Sequence, residues 1–425
     1  MTATCGWRLE TRRSPALIAL PVLVAVALLA ALRSLLPGIS SWLNASASIV
    51  ASVQLLGPLA AGLAAYSAGR ERRRGATYLR TLSVRPGSVV LLAECSGVAF
   101  WAATTYVLLS VALIVKTALG GARPGFISVW WVAVGGLGLL LHVVGGYALG
   151  RVVPRRAAAP VVAVLFFVAG AAALRSRGGW TARLVPVTVQ PEDVFERHNN
   201  LLFAGQFLWY LGAMLLVACL AFGRLMSRVA VTTLLVVATV LAVSGLTVFQ
   251  RTHGRFYAGP AKAMFTCKQL AGPPVCVHPD YAQALPTLVP ALDVLVSRLD
   301  RVGLNVGPLR QRASRPASAA NGFTEFPLYD RSPGYVTLAQ TAVLAQVTDA
   351  QGCYDVQAAT GNSPDYQTLV QGWLFNGPVQ YQAPDAALTR AITFFNALSE
   401  DGRIAWLHKH LKAFQHCRLN SRDFV

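Results

Sequence analysis

NLLFAGQFLWYLGAMLLVACLAFGRLMSRVAVTTLLVVATVLAVSGLTVF, residues 200–249, is apolar for nearly its whole length, and its reading decides the topology of the chain. As one helix, its 50 residues at ~1.5 Å each would measure roughly 75 Å, more than twice the hydrocarbon thickness of a bilayer. The break Gly223-Arg-Leu-Met-Ser-Arg228 is therefore a tight turn between two spans, 200–222 and 229–249. Working back toward the N-terminus, five further apolar stretches cover 15–36, 45–68, 88–118, 126–150 and 157–174. The last is the shortest, but it carries no polar side chain. The first is longer than the apolar region of a signal peptide and reads as a retained span. Residues 1–250 are thus expected to form an all-α polytopic membrane domain with seven transmembrane helices.

The arginines give an orientation, because short loops rich in Lys and Arg stay in the cytoplasm. With the N-terminus inside, the cytoplasmic segments hold 14 of the 21 basic residues before position 251. These are Arg8, Arg12 and Arg13, then Arg70, Arg72, Arg73, Arg74, Arg80 and Arg85, then Arg151, Arg155 and Arg156, and finally Arg224 and Arg228. The opposite loops hold none in 37–44, Lys116 and Arg123 around the third connection, and four in 175–200. Seven spans then place everything after Phe249 outside the cytoplasm. The formal charge of +19 is partitioned accordingly. Residues 1–250 hold 21 basic and 6 acidic side chains, while the remainder holds 16 and 12 with no basic run. Basic loops suit anionic lipid headgroups, and the pattern argues against a nucleic-acid partner.

Residues 251–425 are long enough for one domain with its own core. Asp280–Arg301 has helical spacing of Leu285, Leu288, Leu292, Leu295 and Leu299. Short strands are expected at 303–306 and 323–328, with a polar loop 308–321 between them. Helices are expected at 365–375, 385–398 and 400–416, the last acidic at its start and basic near its end, which suits the helix dipole. The expectation is a mainly helical α+β extracytoplasmic domain. Cys5, Cys95 and Cys219 read as small buried hydrophobes. Cys267, Cys276, Cys353 and Cys417 all follow the last span, and an even number facing an oxidising compartment suggests two disulfides. Three pairings are open. Cys267–Cys276 with Cys353–Cys417 closes one short loop and ties back the helical tail.

Catalytic patterns are missing: no GxxxxGK[ST], no HExxH and no GxSxG. His278 beside Asp280 reads as a helix-entry turn, and His408, His410 and His416 do not share one face of their helix. The reading is of a non-enzyme with no cofactor and no metal. Within the membrane, ionisable groups are the functional suspects. Glu94 lies shallowly in the third span, near the arginine loop, and His142 lies near the middle of the fourth. That fourth span is rich in glycine, and the small-xxx-small pair Gly146/Gly150 suits close helix packing or a homodimer contact.

The most informative loop is Gly69-Arg-Glu-Arg-Arg-Arg-Gly-Ala-Thr-Tyr-Leu-Arg-Thr-Leu-Ser-Val-Arg-Pro86. Tyr78, Leu79 and Leu82 form an apolar edge, set against Arg72, Arg73 and Arg74. The pattern of Glu71, Gly75 and Thr77, Leu79 and Leu82, then Pro86 and Ser88 opening the next span resembles ABC-2-type ABC transporter permeases, over roughly residues 10–225. The resemblance implies a bacterial cell membrane and a separate ATPase that seats on this loop as a coupling helix. It also implies a longer connection between spans five and six, where 175–199 lies. Such permeases have six spans, and this chain adds a seventh and a large tail. The expected function is a permease-like ABC transporter subunit working through the 69–86 loop. The alternative is a membrane-anchored extracytoplasmic binding or assembly protein without an ATPase partner.

Overall fold

The computed structural model describes residues 10–70, 87–153, 157–175, 179–186, 194–223, 226–261, 264–313, 322–348, 365–376 and 386–425. Seven helical spans among them are long and apolar enough to cross a membrane. The first is α1 (Pro15–Ser34). The second comprises α2 (Trp42–Ala51) and α3 (Val53–Ala68). Then follow α4 (Gly87–Leu119), α5 (Val129–Val152), α6 (Ala158–Arg175), α7 (Asn200–Phe222) and α8 (Arg228–Arg251). The chain divides into two compact units, one of residues 1–35 and 40–261, the other of 36–39 and 262–425.

Local chemistry sets the helix ends. Helix α1 stops at Ser34 because Leu35 is extended (φ −70°, ψ 136°) and Pro37 follows. The second span starts at Trp42, three residues before the apolar run, because Ser41 Oγ accepts the Asn44 N–H at 3.1 Å as an N-cap. The fourth starts at Val129 rather than at residue 126, since the Ser128 N–H is held by Ser46 Oγ at 2.9 Å. Asn199 and Ser227 cap α7 and α8.

The second span is the most enclosed of the seven. It packs on α5 along a line of small residues. A Cβ at Gly146 would overlap the Ala61 backbone, and one at Gly150 would overlap Ala65. A turn earlier, a Cβ on Gly57 would come within 2.9 Å of the His142 ring, and on Gly135 within 3.1 Å of Val50. The sequence offset is the same at each contact, so the two helices run parallel and in register. Gly146 and Gly150 are therefore filled from within the chain, and a second copy would need another face. Helices α7 and α8 form an antiparallel pair, with Gly212 against Ala238 and Ala242, and Gly245 against Trp209.

The end of α8 is tied to the connection between α6 and α7. Strands β1 (Glu196–His198) and β2 (Tyr257–Pro260) pair antiparallel. Ala261 N–H donates to the Phe195 carbonyl at 2.7 Å, and Asn199 N–H to the Phe256 carbonyl at 2.9 Å. The reversal at Gly254 has φ +65° and lies against the Trp180 backbone, where a side chain would not fit.

The second unit is mixed α and β. A four-stranded sheet has the order β3 (Thr266–Lys268), β4 (Val275–Val277), β5 (Leu309–Gln311), β6 (Thr324–Phe326). The first pair is antiparallel and the other two are parallel. Helix α9 (Leu285–Arg301) makes the crossover from β4 to β5 and buries Leu285, Leu288, Leu292, Leu295 and Leu299. Helices α10 (Tyr335–Val347), α11 (Asp365–Phe375), α12 (Ala386–Ala397) and α13 (Glu400–Gln415) follow. The strand expected at 303–306 is displaced to Leu309–Gln311. Gly303 (φ +84°) closes α9, and the Leu309 N–H finds the Pro274 carbonyl at 2.9 Å.

Cys267 and Cys276 face each other across the β3–β4 hairpin and form a disulfide. Cys417 is also disulfide-bonded, while Cys353 lies outside the described residues. Cys95 and Cys219 are free and buried.

Gly146→Ala or Gly150→Ala should each lower stability by about 1–3 kcal/mol, the usual cost of overpacking, read as a lower melting temperature in detergent. Gly136→Ala, where the nearest atoms are an ordinary 3.5 Å away, should cost less. Replacing Cys267 and Cys276 by Ala should cost the second unit about 3 kcal/mol, from the loop entropy of so short a closure. Proteolysis of that unit with and without reductant gives the comparison.

Candidate functional site at the Arg70 and Glu94 end of the bundle

Glu94 sits in the second turn of α4 with its side chain only 2% exposed. A buried carboxylate needs partners, because an isolated charge in an apolar interior costs several kcal/mol. It has them. Tyr147, fully enclosed on α5, donates its hydroxyl to Glu94 Oε2 at 2.7 Å. Arg70, two residues beyond α3, places Nη2 3.6 Å from Glu94 Oε1 and 2.9 Å from Glu10 Oε2. One guanidinium thus stands between two carboxylates.

The N-terminal turn is drawn into the same place. Arg70 Nη1 donates to the Arg13 carbonyl at 3.4 Å, and Trp101 Nε1 to the Thr11 carbonyl at 2.8 Å. Gly97 lets the Glu10 carbonyl approach α4, where a Cβ would come within 3.2 Å of it. Ser14, buried, then caps α1 by accepting from the Ala16 N–H at 3.3 Å. On the other side Tyr147 packs on Phe222, and Arg151 donates to the Ala221 carbonyl at 2.6 Å, binding α5 to the end of α7. Five segments therefore meet around Glu94. The arrangement can hold those segments in fixed relation, and its polar groups are committed to one another.

The loop residues singled out from the sequence, Glu71, Arg72, Arg73, Arg74, Gly75, Tyr78, Leu79 and Leu82, lie outside the described residues. Its two flanks do not: Arg70 enters it and α4 leaves it, and both belong to the Glu94 network. His142 is buried at the α3 contact, with Nδ1 2.8 Å from the Gly138 carbonyl and the Phe166 ring beside it. His278 Nδ1 accepts the Asp280 N–H at 3.3 Å and caps the turn into α9. His410 Nδ1 lies 2.9 Å from the Trp406 carbonyl, its ring against that indole. Among the described residues no three His, Cys, Asp or Glu side chains are grouped as a metal site.

Sequence reasoning marked Glu94 but missed Tyr147, and it counted Arg70 only as loop charge. A tyrosine 53 residues away gives no local signal. The better clue was that a lone carboxylate in a span needs a cation and a donor at the same depth.

At the opposite end of the bundle a second polar cluster closes the α6–α7 connection. Arg183 is buried, donates Nε–H to the Gly254 carbonyl at 3.0 Å and faces the Phe256 ring at 5.7 Å. Tyr210 donates to the Arg183 and Val185 carbonyls. His198 is packed among Trp131, Phe203, Phe256 and Tyr257. Burial pushes both the Arg183 and the His198 pKa down from their ordinary values.

No protein-family profile matches the chain, and no curated protein or solved structure shows significant similarity to it.

Tyr147→Phe should lower stability by about 1.5–3 kcal/mol, the usual worth of a hydrogen bond to a charged group. The double variant Tyr147→Phe/Glu94→Gln should lose less than the sum of its parts, because the two changes remove one interaction. Thermal unfolding of the purified protein in detergent measures both, and additive losses would mean that the two groups are not coupled.

Proposed function

We propose that this chain is a permease-like integral membrane subunit of an ABC transporter, working with a separate ATPase through its 69–86 loop. One observation carries the reading beyond the sequence resemblance. Both flanks of that loop are held in the Glu10–Arg70–Glu94–Tyr147 network, which extends to α5 and to the N-terminal turn. A loop that receives force from a soluble partner needs a stiff base, or the force is lost in its own bending. Here the base is a buried, charge-paired cluster joined to the packed α3–α5 pair. The arginine distribution puts this end in the cytoplasm, where an ATPase would be found.

In this reading the odd number of spans carries residues 262–425 to the other side of the membrane, and the hairpin disulfide suits an oxidising compartment. The second reading, a membrane-anchored extracytoplasmic binding or assembly protein, draws on that same unit. It has its own sheet, leucine-lined crossover helix and disulfide, as a separately acting domain would.

Tyr78→Ala with Leu79→Ala tests the choice. Apolar interface anchors commonly cost more than ~1 kcal/mol each when truncated. The double variant should therefore lose a co-purifying ATPase while inserting normally, because the orienting arginines are untouched. Retention of the ATPase by the variant, or its absence from wild-type preparations, would favour the anchored-domain reading. A reporter fused after Val425 should behave as extracytoplasmic and one at Arg74 as cytoplasmic.

A further inference from the structure

Helices α1 and α6 both lie along α3, and between them a strip of α3 stays uncovered. It forms a groove lined by Pro15, Leu59, Leu63, Tyr66, Ala159 and Ala163. Leu59 is 36% and Tyr66 43% exposed, on the span that is otherwise the most enclosed of the seven. The side chains offer no charge along the groove. Its mouth is different. Pro15 and Tyr66 lie at the end where Arg12 and Arg13 immediately precede α1, both exposed. Arg13 is fixed there by its carbonyl, which accepts from Arg70, one turn beyond Tyr66. Among the described residues neither Arg12 nor Arg13 has an ion-pair partner. Arg70, by contrast, is committed to Glu10 and Glu94.

We propose that this groove is a binding site for one anionic phospholipid, an acyl chain lying over Leu59 and Leu63 and the phosphate at Arg12 and Arg13. The proposal rests on the helices crossing a bilayer and does not depend on an ATPase partner. An apolar slot between spans, opening on exposed cations at the headgroup level, matches an anionic lipid in both parts. A second copy of the chain is a poorer occupant. A two-fold contact here would bring two Arg12/Arg13 pairs together, and like charges face to face are costly.

Native mass spectrometry of the full chain, exchanged in detergent against equal phosphatidylglycerol and phosphatidylcholine of the same acyl composition, tests the site. The wild type should retain phosphatidylglycerol about fivefold or more over phosphatidylcholine, in line with the attraction of basic side chains to anionic lipid. Arg12→Gln with Arg13→Gln, which leaves the groove intact, should bring that ratio close to one. Leu59→Trp, which fills the exposed strip, should lose retention of both lipids. Equal retention by the wild type, or an unchanged preference in the arginine variant, would overturn the proposal. So would a dimer in the wild-type spectrum that Leu59→Trp converts to monomer, since the groove would then belong to a second copy.

Discussion

The Glu94 end of the bundle depends on how closely α3 and α5 approach. Gly146 and Gly150 let the backbone of α5 rest on Ala61 and Ala65, with Gly57 taking the His142 ring one turn further. In a bilayer there is little hydrophobic gain from pressing one apolar helix on another, so contact area at short range must supply the stability. Two parallel helices in register give that area over three turns. The same register decides which side chains share a depth. It sets Tyr147, between the two glycines, where its hydroxyl meets Glu94.

The charged cluster is a consequence of that packing and also its limit. Glu94 is tolerable at 2% exposure because Tyr147 donates to it and Arg70 stands nearby, and Arg70 is held in turn by Glu10. Breaking one member leaves a buried charge with too few partners, which typically costs more than the pair is worth intact. Such a group resists partial rearrangement: its members stay together or part together. That behaviour keeps the N-terminal turn, the end of α3, the start of α4 and α5 in one arrangement.

Much of the fold could be read from the chain. Length and apolarity located all seven spans, and the argument against a ~75 Å helix split 200–249 between the end of α7 at Phe222 and the start of α8 at Arg228. The leucine stripe of α9 and the Cys267–Cys276 hairpin were equally local signals. Boundaries shifted where a single polar side chain decided them, as Ser41 does for the second span. The strand at Leu309–Gln311 was misplaced because its register depends on β4, more than thirty positions earlier, and not on its own neighbours. The site was legible only in half. Glu94 announced itself as an ionisable group in a span, but its partners come from the N-terminal turn, the end of α3 and the last turns of α5. No periodicity links those positions; the α3–α5 register and the contact of the N-terminal turn with α4 do.

The short β1–β2 ribbon has a mechanical meaning. Chain leaving α8 does not run free: it turns at Gly254, pairs with residues 195–198 and departs at Ala261. Tension applied beyond Ala261 therefore reaches the Ala261–Phe195 hydrogen bond before it reaches α8, and passes through β1 into the start of α7. Because α7 and α8 are themselves an antiparallel pair, pull is divided between two rods anchored side by side. The exit is strain-relieved, as a cable is where it enters a housing, and α8 is shielded from being drawn out along its own axis.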